Sequence, residues 1–82
     1  MFVIRMTLAF ASAAHARGSL AFISRSEVPF EQLSPITDGD PGSFASVDVA
    51  VRSIDRVRLM TLVTGMHGMR VNEGSLEAAE VA

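Results

Sequence analysis

The chain has no cysteine, lysine, tryptophan or tyrosine, and only 20% of its 82 residues are charged. Without Cys no disulfide can brace the fold, and cysteine usage cannot report a redox compartment. Without Lys all seven positive charges are Arg, and nine acidic residues leave a net charge of −2. A field that gathers nucleic acid or an acidic membrane surface is therefore not expected. Arg alone suits planar, partly buried ion pairs better than a solvated cationic coat. Without Trp and Tyr the aromatic side chains are five Phe, which have no polar tip and call for full burial. Long apolar runs are missing too. The longest charge-free stretches, residues 6–16 and 59–69, fall far short of the roughly 20 apolar residues a spanning helix needs. No transmembrane segment is expected.

What is present is apolar side chain in excess. Apolar residues make up 49% of the chain, although eleven of them are Ala. The length implies one domain, residues 1–82, and a domain this small buries only about 60% of its unfolded surface. Some of the Phe side chains are expected to bury against another subunit.

Periodicity points to strands. Phe2, Ile4, Met6, Leu8 and Phe10 share one parity against Val3, Arg5, Thr7 and Ala9, the pattern of a half-buried strand over 2–10. The Ala-rich stretch 11–17 either continues it or turns helical, with Gly18 as a natural stop. Residues 19–25 read as a second strand, joined to the first by a turn at 16–19. Pro29 interrupts any ladder. Residues 34–43, with two Pro and two Gly among Asp and Ser, form a loop between two halves of the domain. Val47, Val49 and Val51 then alternate with Ser46, Asp48 and Ala50, and residues 57–63 repeat the alternation. Residues 65–68 make a corner, 69–71 a last short strand, and 73–82 a terminal helical turn or tail. The expected fold is mainly antiparallel β, with four to five short strands and a minor terminal helix. The alternative is α+β with helices near 6–17 and 46–64.

Chemistry-bearing motifs are weak. Asp38-Gly39-Asp40 lacks the further oxygens and closing Glu of a calcium loop and reads as a turn. Met60, Met66, His67 and Met69 contain copper(I)-type donors, but Met in a small apolar domain is ordinarily core filler. A Ser-His-Asp set can be assembled on paper from His67 with Asp48 or Asp55, yet no nucleophile signature surrounds any Ser. Glycines match no phosphate loop. No catalytic residue, metal ligand or cofactor is assigned, and an enzyme is not expected.

The expected role is a non-enzymatic assembly subunit, burying apolar surface against itself or a larger complex, as a small virion decoration, capsid or tail component would. Its expected interface residues are Phe2, Ile4, Phe10, Phe22 and Phe30, with the N-terminal segment able to donate a strand to a neighbour. One alternative is a small nucleic-acid-binding module using Arg52, Arg56 and Arg58. That reading lacks interleaved aromatics and Lys, so protein partners are preferred to nucleic acid. Another is a secreted or membrane-peripheral protein. Arg5, the apolar run 6–11 and Ala14-His15-Ala16 make a signal-like segment over residues 1–16. A cytoplasmic assembly or a virion is preferred to secretion.

Overall fold

A computed structural model describes residues 2–38 and 44–75. Among the described residues the chain forms β1 (Ile4–Phe10), α1 (Ala13–Arg25), β2 (Phe30–Gln32), β3 (Ala45–Val51), a single 3-10 turn (Ser53–Asp55), α2 (Arg56–Gly65) and β4 (Met69–Ser75). The strands make one antiparallel sheet in the order β2-β3-β1-β4. This connectivity is the split β-α-β, or ferredoxin-like, arrangement. The antiparallel sheet expected from alternation is present.

Alternation in β1 and β3 builds the core. Ile4, Met6, Leu8 and Phe10 stand opposite Val51, Val49, Val47 and Ala45 on one face of the sheet. That face packs under both helices, and Met6, Leu8, Phe10, Val47, Val49 and Val51 are buried in one cluster with Leu20, Ile23, Leu59 and Val63. The five-residue apolar stripe of the N-terminal segment therefore closes the domain's own core from Ile4 to Phe10.

Two expected strands are helices. Residues 19–25 belong to α1, which starts at Ser12, whose side chain caps the His15 N–H at 3.1 Å. The helix runs through Gly18 and buries Ala16, Ser19, Leu20 and Ile23, the i, i+3, i+4, i+7 spacing of an amphipathic helix. No turn forms at 16–19. Residues 57–63 belong to α2, where Leu59 and Val63 are buried and Leu62 and Met66 pack beside them, again at helical spacing. The alternative helices near 6–17 and 46–64 each straddle a real strand and a real helix. Neither helix is terminal. The expected tail begins inside β4 at 73–75, and its remainder, 76–82, lies outside the described residues. So do residues 39–43 of the expected loop, including most of Asp38-Gly39-Asp40.

A close approach locks the α2–β4 corner. A methyl group added at Gly68 would come within 2.5 Å of Phe10 Cε1 and 2.9 Å of Val63 Cγ1. At Gly18, inside α1, the same methyl would meet nothing within 4 Å. Gly68→Ala is expected to cost about 1–3 kcal/mol through overpacking. Gly18→Ala is expected to stabilise by about 0.5–1 kcal/mol through helix propensity. Denaturant titration of the two variants reads these opposite signs.

Candidate interaction surface

The helix-free face of the sheet carries Arg5, Thr7 and Ala9 of β1 opposite Ala50, Asp48 and Ser46 of β3. Asp48 accepts from Arg5 Nη2 and from Thr7 Oγ1, both at 2.6 Å. The Arg5 hydrogen bond, then that of Thr7, holds the Asp48 carboxyl below its ordinary range. On β1 and β3 this face is small and polar, and the charges of Arg5 and Asp48 are satisfied across strands. None of its β1 and β3 positions is aromatic, and the exposed aromatic next to it is Phe44, just ahead of β3.

Among the described residues, four of the six exposed large apolar residues, Ile54, Val57, Met69 and Val71, fall between the 3-10 turn and β4, while Phe22 on α1 and Phe44 just ahead of β3 are exposed elsewhere. β4 is an edge strand whose outer side has no partner among the described residues. On it Met69 and Val71 are exposed, beside it Val57 is exposed in the first turn of α2, and Ile54 is exposed in the 3-10 turn before that helix. An open groove of about 630 Å³ lies along this flank, lined by Arg56, Val57, Met60, Thr61, Thr64, Gly65 and Arg70. Its charges are organised by Glu73, which accepts from Arg56 Nε at 2.9 and 3.1 Å and from Arg70 Nη1 at 3.1 Å. The Arg56 hydrogen bond chiefly holds the Glu73 carboxyl below its ordinary range.

A register shift between Thr7 and Leu8 shapes the edge. Arg70 stands opposite Leu8 and Glu73 opposite Met6, so both lie on the helix face although they are three residues apart. Met69 opposite Ala9 and Gly74 opposite Arg5 lie on the other face. Val71 occupies the bulge, which increases twist and interrupts a flat edge.

The sequence-derived interface residues scatter. Phe10 is fully buried, and this corrects its assignment: it fills the core between β1, Val63 and Gly68 and is unavailable to a partner. Ile4 and Phe30 are half-buried against the same core. Phe2 is half-buried ahead of β1. Phe22 is 46% exposed on α1, where a second groove also takes in His15, Arg25, Met66 and His67. His15 ties that corner together: its Nε2 donates to the Met66 carbonyl at 2.6 Å, and its ring packs on Phe10.

The remaining candidates do not converge. Arg52 pairs with buried Asp55 at 2.6 Å, Arg56 pairs with Glu73, and Arg58 is exposed on α2. His67 and Asp55 sit at opposite ends of α2, about 15 Å apart along its axis. Asp48 is committed to the open sheet face. Among the described residues no group of three or more acidic, His or Cys side chains could hold a metal ion. No helix among them is long and apolar enough to cross a membrane. Residues 4–16 of the signal-like segment form β1 and the first turn of α1, so cleavage after Ala16 would remove a central strand.

No family model, curated protein or solved structure matches the chain.

Two expectations follow. Phe10→Ala is expected to cost about 3–5 kcal/mol and Phe22→Ala under about 1 kcal/mol, measured by denaturant unfolding. Asp48 and Glu73, with lowered carboxyl pKa values, add stability above the unfolded-state range near pH 4. That stability is lost as pH falls through their folded values. Unfolding midpoints should drop in acid, and the gap between Glu73→Gln and the native chain should close there.

Proposed function

We propose that this chain is a non-enzymatic assembly subunit that associates with other protein through the flank formed by α2 and β4. The observation that carries the reading is an edge strand without an outer partner among the described residues, bordered by exposed Val57, Met69 and Val71. An edge of this kind binds by adding a strand: main-chain hydrogen bonds supply affinity and neighbouring side chains supply specificity. The apolar surplus in the composition supports the same reading, because Val57, Met69 and Val71 of this flank stay exposed while β1 and β3 fill the core; Phe22 and Phe44 are exposed elsewhere. A virion component is one assembly of this physical kind. The nucleic-acid alternative draws no support from Arg52 and Arg56, whose charges are met within the domain.

Sedimentation across roughly 1–100 µM tests the reading. The native chain is expected to associate with rising concentration, and its β4 amides to exchange more slowly as it does. Val57→Lys combined with Val71→Lys changes two exposed positions and is expected to abolish association while leaving the unfolding midpoint nearly unchanged. A chain that stays monomeric throughout, with β4 amides exchanging freely, overturns it.

A further inference from the structure

We infer that the partner on this flank is a second copy of the chain, whose β4 pairs antiparallel with the first about a two-fold axis passing between residues 71 and 72. This rests on the docking role proposed for the flank and names its occupant. A two-fold contact must be self-complementary, and β4 is so in charge and in size. With the axis between 71 and 72, Arg70 of each copy stands opposite Glu73 of the other, so that the Arg70–Glu73 pair within each chain extends into an alternating set of four charges across the axis, and Met69 stands opposite Gly74. Residues directly opposite in an antiparallel pair must share a face. The bulge at Val71 meets that condition, because it places Arg70 with Glu73 on the helix face and Met69 with Gly74 on the open face. A methyl-free Gly74, with nothing within 4 Å of its Cβ position, leaves room for the exposed Met69 side chain. Registers centred on residue 70 or on residue 73 instead set Arg70 against Arg70, or Glu73 against Glu73, and like charges directly opposite are destabilising.

In the inferred dimer the two sheets join in the order β2-β3-β1-β4-β4-β1-β3-β2. The Val71 side chains meet near the axis, and Val57 and Met60 of the groove gain cover from the second copy. The ion pairs set register; affinity comes from the strand ladder and the apolar contact, since exposed salt bridges contribute little.

The Cys-free sequence makes a direct test available. In this register the Cα atoms of residue 69 and residue 74 of the other copy lie about 4.5–5.5 Å apart, within disulfide range. Within one chain the same two residues, opposite β1 residues four apart, are about 13 Å apart, and the two copies of either residue are similarly far from each other. Oxidised Met69→Cys/Gly74→Cys double variant is expected to run as a disulfide-linked dimer that reductant reverses, while each single variant stays uncrosslinked. Arg70→Glu in the Cys-free chain is expected to weaken association about tenfold or more, read by sedimentation. A native chain that associates while the double variant fails to crosslink, or a single variant that crosslinks as readily, overturns this register and leaves the assembly reading standing. A native chain that never associates overturns both.

Discussion

Strand β1 is hydrogen-bonded along both edges, to β3 and to β4, and the rest of the fold depends on that double pairing. Its helix-side residues share one core with α1 and α2, so a strand of seven residues joins the middle of the sheet to both helices. Phe10 shows the dependence most clearly. It is fully buried, its ring meets His15 at a 5.5 Å centroid distance, and it fills the space in which Gly68 could not tolerate a side chain. The start of α1, the end of α2 and the turn into β4 are thereby fixed to one another through a single aromatic side chain. His15 adds a polar tie at the same corner by capping the Met66 carbonyl, one of the groups a helix end leaves without an internal partner.

The sequence favoured strands at β1 and β3, because β-branched and large apolar residues at period two fit a strand when the opposite parity is small or polar, although the alternative helices near 6–17 and 46–64 overlapped both. It carried the helices less plainly. In α1 the pairs Leu20/Phe22 and Ala21/Ile23 mimic alternation, while the decisive spacing, Ala16, Ser19, Leu20 and Ile23, includes an Ala and a Ser that a search for large residues passes over. Gly18 compounds the difficulty: it looks like a stop, yet it lies on the exposed side of the helix, where its cost is only about 1 kcal/mol. In α2, Val57, Leu59, Thr61 and Val63 alternate in residue type, but Val57 is 70% exposed and Leu59 and Val63 are buried. The signal that separates the two readings is Leu59, Leu62, Val63 and Met66 at i, i+3, i+4 and i+7.

The flank was illegible for a related reason. A groove between a helix and an edge strand exists only when α2 is a helix; read as a strand, residues 56–65 place Arg56 and Arg58 on one face and dissolve it. The bulge at Val71 leaves no mark in residue type. Large apolar side chains likewise point to burial without saying whose. Phe10 and Phe22 look alike in the sequence, and one is interior while the other is nearly half exposed.

The split β-α-β arrangement hosts many functions, so the fold by itself selects none. What distinguishes this example is where it spends its polarity. A single-layer sheet with helices on one side has an uncovered face, and here the Arg5–Asp48–Thr7 network occupies its β1 and β3 positions. Part of the exposed apolar surface lies at the β4 edge, where a bulge, Arg70 and Glu73 stand among exposed Met69 and Val71. Bulges and charges on an edge ordinarily blunt indiscriminate pairing. The same two devices, placed with Arg70 and Glu73 on one face, discriminate between registers. An edge protected in this way rejects a generic strand and accepts one whose charges and side-chain sizes run in the complementary order, and β4 read in reverse has that order.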